Sequence, residues 1–129
     1  MQLTINGTDY ELNFGLRFCR EISKDKQESN RGIDLRVGIE NAVTNLYTGD
    51  VLILPDLVKA ATSHYKKKPS DKDIEEFLDT YEDLGGLCED FLSELLEQSA
   101  TKKKASEVYN ALEEEKEKEE KEKEEKEEE

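Results

Sequence analysis

The chain begins MQLTINGTDYEL, with Asn6-Gly7 between two segments that alternate apolar and polar residues. Asn-Gly is the favoured two-residue hairpin turn, because both residues tolerate positive φ. A turn at that place leaves one register. Ile5 then faces Thr8, Leu3 faces Tyr10 and Met1 faces Leu12, all on one face of the pair. Gln2, Thr4, Asp9 and Glu11 form the other face, which is wholly polar. A two-stranded hairpin is marginal by itself in water. Leu3, Ile5, Tyr10 and Leu12 therefore need a partner surface.

The following residues supply candidates. After Gly15, the apolar residues Leu16, Phe18, Cys19 and Ile22 recur at roughly helical spacing. Lys24 to Gly32 is polar and reads as a loop. From Ile33 to Tyr47 the helical period resumes, with Leu35, Ile39, Ala42, Val43 and Leu46 on one stripe. Thr48-Gly49-Asp50 is a stop signal, with Gly near a helix C-terminus. Pro55 suits the first turn of a further helix carrying Leu57, Val58, Ala61 and Tyr65, which Pro69 ends. For Val51 to Leu54 the pattern leaves an extended segment and an early helical turn equally open. Ser70 followed by Asp73 predicts a capped helix start, with Ile74, Phe77, Leu78 and Tyr81 behind it. Gly85-Gly86 weakens the next join. Leu84, Leu87, Cys88, Phe91, Leu92, Leu95 and Leu96 then form the cleanest amphipathic stripe in the chain.

The pattern predicts a mainly α fold: an N-terminal two-stranded β-hairpin packed on a small bundle of about five helices, with a charged C-terminal extension. Residues 1–100 are expected to form the domain, and 101–129 a Lys/Glu-rich tail that is partly helical or disordered. Val108, Tyr109 and Leu112 are the last apolar side chains. Glu113 to Glu129 holds twelve Glu and five Lys, or −7 of a total of −14, so the preceding 112 residues carry the other −7. KEKEE occurs twice, from Lys116 and from Lys121. Helical spacing pairs Glu114 with Lys118, Glu117 with Lys121, Glu119 with Lys123 and Glu122 with Lys126, all in the better orientation. No apolar seam supports a coiled coil there.

Charge and motifs narrow the function. An acidic chain is repelled by nucleic acid and anionic lipid, whose partners use Lys and Arg to displace counterions. Lys66–Lys68 and Lys102–Lys104 are the local exceptions, and three Lys beside a helix end serve the helix dipole. Cys19 and Cys88 are far apart and lack CxxC spacing, so they read as two buried thiols in a reducing compartment. No leader pattern and no apolar run of spanning length is present. His64 is the one histidine, so nucleophilic triads could run through it alone, and capping or plain exposure is its ordinary reading. Neither EF-hand spacing nor a phosphate loop occurs. No catalytic, metal-binding or cofactor-binding residue is assigned. The stripe at Leu84, Leu87, Phe91 and Leu95 admits two uses: core, or a surface that holds a partner's helix.

The stretch INGTDYELNFGLRFCREI, Ile5 to Ile22, resembles the start of the tail assembly chaperones of long-tailed phages and prophages of Gram-positive bacteria. Those proteins share the NG hairpin, a Y-x-L-x-F-G passage and a helix. Two later features also fit: the L-x-x-L-V-x-A helix, Leu54 to Ala60, after Gly49-Asp50, and the acidic helix opened by Pro69-Ser70. The resemblance covers residues 1 to 98, and its motifs are architectural. It implies a non-virion protein of the host cell cytoplasm that binds the aggregation-prone, helical tape measure protein. Such a protein keeps its client soluble until tail tube subunits assemble around it. Tail tube protein is a second partner to consider, self-association stays open, and a longer product by ribosomal frameshifting is common. The KEKEE tail is not among the resembling features. A different class is an acidic DNA mimic inhibiting a host nucleic-acid-binding factor, though mixed Glu and Lys make a poor phosphate mimic.

Overall fold

A computed structural model describes residues 1–24 and 35–127. Strand β1 (Gln2–Ile5) pairs antiparallel with β2 (Thr8–Glu11). Then follow α1 (Leu16–Ser23), α2 (Leu35–Tyr47), a 3-10 turn (Val51–Ile53), α3 (Leu54–Ala61), α4 (Asp71–Asp79), α5 (Leu84–Glu97) and α6 (Lys102–Glu127). The fold is mainly α, a two-stranded hairpin on a helical bundle. Most of the segment read as a loop, Lys24 to Gly32, and Ile33 lie outside the described residues.

The hairpin register is the one the Asn-Gly turn dictates. Leu3 pairs with Tyr10 and Ile5 with Thr8, and the Leu12 amide donates to the Met1 carbonyl at 2.9 Å. Asn6 and Gly7 both take positive φ, 49° and 76°, the signature of the turn type that matches strand twist. Leu3, Ile5, Tyr10 and Leu12 are buried, while Thr8, beside the turn, is exposed. Two contacts anchor the hairpin's outer side. The Glu11 amide donates to the Tyr65 hydroxyl at 2.8 Å, and the Asn13 amide donates to the Ala61 carbonyl at 2.9 Å.

One core runs through the molecule. Phe14 meets Phe18 and Phe91 edge-on, with ring centroids 5.0 and 5.8 Å apart. Ile39, Ala42, Val43 and Leu46 of α2 are buried, as are Leu54, Leu57, Val58 and Ala61 of α3. At the end of α2, the Gly49 amide donates to the Leu46 carbonyl and the Asp50 amide to the Asn45 carbonyl. Gly49 sits at φ 75°. This is the paired closure that favours glycine after a helix, since it needs a left-handed residue.

Val51 to Ile53 is a helical turn running directly into α3, with Asp50 accepting from the Leu52 amide. Pro55 sits in the first turn of α3. That helix stops well short of Pro69, at Ala61. The Thr62 hydroxyl donates to the Val58 carbonyl and the Ser63 hydroxyl to the Ala60 carbonyl. Side-chain donors thus take carbonyls that a longer helix would use. Tyr65 therefore packs from a loop, edge-on to Tyr10 at 5.2 Å.

The predicted cap at Ser70 forms, and the structure adds a second at Asp83. The Ser70 hydroxyl accepts from the Asp73 amide at 3.0 Å, and Asp71 and Asp73 place negative charge in the first turn of α4, where the dipole favours it. Gly85-Gly86 does not interrupt α5. It forms the first turn, with the Asp83 carboxylate accepting from the Gly86 amide at 2.9 Å. A side chain on Gly86 would collide with that carboxylate.

Residues from Lys102 to Glu127 form one helix. Its root belongs to the body. Thr101 and Ala105 are fully buried, and Val108, Tyr109 and Leu112 pack on the core. The Thr101 hydroxyl donates to the Leu95 carbonyl at 2.7 Å, which locks the α5–α6 corner. Residues 114–126 are exposed. Among the described residues the four expected Glu–Lys pairs do not close, and the ion pairs on α6 are Lys104–Glu40 at 2.7 Å and Lys104–Glu107 at 3.9 Å. Exposed pairs gain little from closing, because water screens them and side-chain entropy opposes them.

Candidate functional site

The stripe on α5 faces inward. Leu87, Phe91 and Leu95 are at most 1% exposed, and Leu84 is half-buried at the rim. Phe91 packs against Phe14, so the stripe joins α5 to the hairpin–α1 corner. In this conformation Leu87, Phe91 and Leu95 offer a partner no surface. Hairpin residues Leu3, Ile5, Tyr10 and Leu12 lie in the same core, with Asn6 and Gly7 exposed at the turn.

The groups able to do chemistry are dispersed. His64 is exposed and lies against the Tyr65 ring, with centroids 4.2 Å apart and the planes tilted by 43°. Cys19 and Cys88 are buried free thiols. Burial pushes both thiols up; a backbone hydrogen bond at Cys19 works weakly against it, and Asp50 and Glu89 add to it at Cys88. Both therefore stay protonated and poorly nucleophilic. Among the described residues no cluster of His, Cys, Asp or Glu is arranged to hold a metal ion. No described helix is long and apolar enough to cross a membrane.

One groove of about 340 Å³ lies between α1, α2 and α3, floored by Ile22, Gly38, Ala42, Ile53 and Leu57. Its charged rim is largely self-neutralised. Lys24 pairs with Glu21 at 2.7 Å, and Lys59 pairs with Asp71 at 3.3 Å. A second groove, of about 310 Å³, runs between α2 and α6 over Val108, Ala111 and Leu112. Its walls carry Glu40, Glu107 and Glu115. Among the described residues three large apolar side chains stand in solvent outside both: Leu16, 62% exposed, Leu52, 81% exposed, and Val51 beside it.

The α2–α6 seam has its own electrostatics. The hydrogen bond to Glu40 raises the Lys104 pKa, against a smaller loss from burial. Tyr47 lies below Tyr109, edge-on at 5.7 Å. Its hydroxyl is buried without a partner in good geometry. Burial first, and then the neighbouring Glu113 carboxylate, push its pKa up.

Sequence reasoning passed over this second groove. Its signal was present but thin: Val108, Ala111 and Leu112 share a helix face at i, i+3 and i+4. They sit in so polar a context that they read only as the last apolar residues.

The chain's class comes from its relatives. Searches among curated proteins and solved structures return no significant match. A family model described as phage tail assembly chaperone protein, TAC, matches residues 2–110. That span runs from the hairpin into the root of α6, and so takes in every packed element. The chain belongs to the phage tail assembly chaperone proteins.

Proposed function

We propose that this chain binds the tape measure protein of a phage tail in the host cell cytoplasm and keeps it soluble while tail tube subunits assemble around it. Family membership is the observation that carries the reading. The physical features agree with it. A chain with a net charge of −14 adds charge to any complex it joins, and charge of one sign opposes aggregation. The exposed half of α6 places much of that charge on a solvated rod beyond the body. Helix-lined grooves accept amphipathic helices, the segments that a long helical client offers. The role is one of holding, without catalysis or cofactor. Tail tube protein, a second copy of the chain and a frameshifted longer product belong to the same proposal as further components.

Co-expression tests it. A tape measure protein encoded beside this chain is expected in the soluble fraction when the two are made together, and in the pellet alone. Equal partition with and without the chain would remove the reading. So would a gene neighbourhood that encodes neither a tail tube nor a tape measure protein.

A further inference from the structure

We infer that the groove between α2 and the root of α6 docks a basic amphipathic helix of a partner protein. The inference rests on the chaperone reading for the partner's identity, as a segment of its client; the fit of the groove stands on geometry and charge.

The root of α6 is fixed by Thr101 and Ala105, both fully buried, and by Lys104 pinned to Glu40. Beyond that anchor the packing thins. Val108 and Leu112 are half-buried and Ala111 is exposed, which leaves a narrow apolar strip beside Thr44 of α2. Such a strip is too narrow for a broad hydrophobic surface, but it matches the row of anchors on one face of a helix.

Charge selects among helices. At the head of the groove Lys104 lies between two carboxylates, Glu40 at 2.7 Å and Glu107 at 3.9 Å, with Arg36 of α2 near enough to act on its charge. Glu115, at the far wall, has no cation within 4.0 Å. Helical spacing then puts Glu119 and Glu122 on the same face, and both are exposed. The apolar strip thus runs into a track with more Glu than Lys, with Lys118 at its edge. From Lys104 to Glu122 the surface extends for about 27 Å at 1.5 Å per residue. A partner helix with a thin apolar stripe flanked by Lys and Arg matches it along its length. Acidic helices meet like charge, and nucleic acid is repelled outright.

The test uses the full chain and two labelled 18-residue helical peptides with the same Leu positions, one filled with Lys and the other with Glu. The Leu/Lys peptide is expected to bind and the Leu/Glu peptide to fail. The triple variant Glu115→Lys, Glu119→Lys, Glu122→Lys should weaken the Leu/Lys peptide by about tenfold or more. The same charge change on α4, made by Glu75→Lys, Glu76→Lys and Asp79→Lys, should cost less than about twofold. Ala111→Arg, which obstructs the strip, should also weaken it. Circular dichroism confirms that each variant folds. Equal losses in the two triple variants, or equal binding of both peptides, would overturn the inference in favour of general charge attraction. Tape measure solubility is measured alongside. If the unaltered chain fails to solubilise that protein, the chaperone reading falls, while the peptide results still decide the groove.

Discussion

At Gly38 the backbone of α2 passes so close to α1 that no side chain fits. A Cβ there would lie 3.0 Å from the Ile22 backbone carbon and would press on the Ser23 hydroxyl as well. Replacing an interior helix glycine by alanine ordinarily stabilises by about 1 kcal/mol. Here crowding against backbone costs about 1–3 kcal/mol, and the clash should win. Gly38→Ala is therefore expected to lower the urea midpoint of unfolding, and an unchanged or raised midpoint would show that α1 can step back. Nothing in the helical period around Gly38 explains it, because the reason for it lies in another helix. Asn6-Gly7 is the opposite case: its meaning is local, so the turn and the register were both legible. The cysteines give a second test at this scale. With both thiols buried and their pKa values raised by that burial, a thiol reagent at about pH 8 should label neither in the folded chain. Both should react in denaturant, and rapid labelling without it would place one at the surface.

Among the elements, α6 departs furthest from what its composition suggests. Twenty-six residues form one helix, although few of them are apolar. Its beginning is secured by burial and its continuation needs no nucleation, which is the costly step in helix formation. A sequence pattern shows each residue's preference but not that a buried root supplies the first turns. The α5 stripe shows the same limit in another form. Its period was legible, yet period alone does not say whether the opposite surface belongs to the same chain. The α2–α6 seam makes a pH prediction. Tyr47 and Lys104 both hold their protons more tightly folded than unfolded. The stability they lend is complete below their ordinary values, near pH 10, and is lost as pH climbs through the raised ones. The urea midpoint should therefore fall above about pH 10. Combining Tyr47→Phe with Lys104→Gln should flatten that fall. A slope unchanged by the pair would mean that other groups govern alkaline unfolding.

For the whole molecule, the body and the charged rod should separate under truncation. A chain ending at Leu112 keeps every apolar side chain of α6 and loses, besides half-buried Glu113, the solvated residues that follow. Its stability is expected to stay within about 0.5 kcal/mol of the full chain, while its solubility near neutral pH should drop as seven net negative charges leave. A chain ending at Gln98 loses Thr101 and Ala105 from the core and uncovers the α2 face beneath. It should be destabilised by about 2–5 kcal/mol. Thermal melts of the three chains decide this; equal melting of the shortest and the full chain would place the domain's end before α6. Assembly depends on one further contact, the bond from the Glu11 amide to Tyr65, supported by that from Asn13 to Ala61. The outward amide of Glu11 on β2 is the kind of free donor on which a foreign strand starts to pair. Here a side chain of the same molecule already occupies it. A foreign strand therefore finds that amide taken, and pairing cannot start from it.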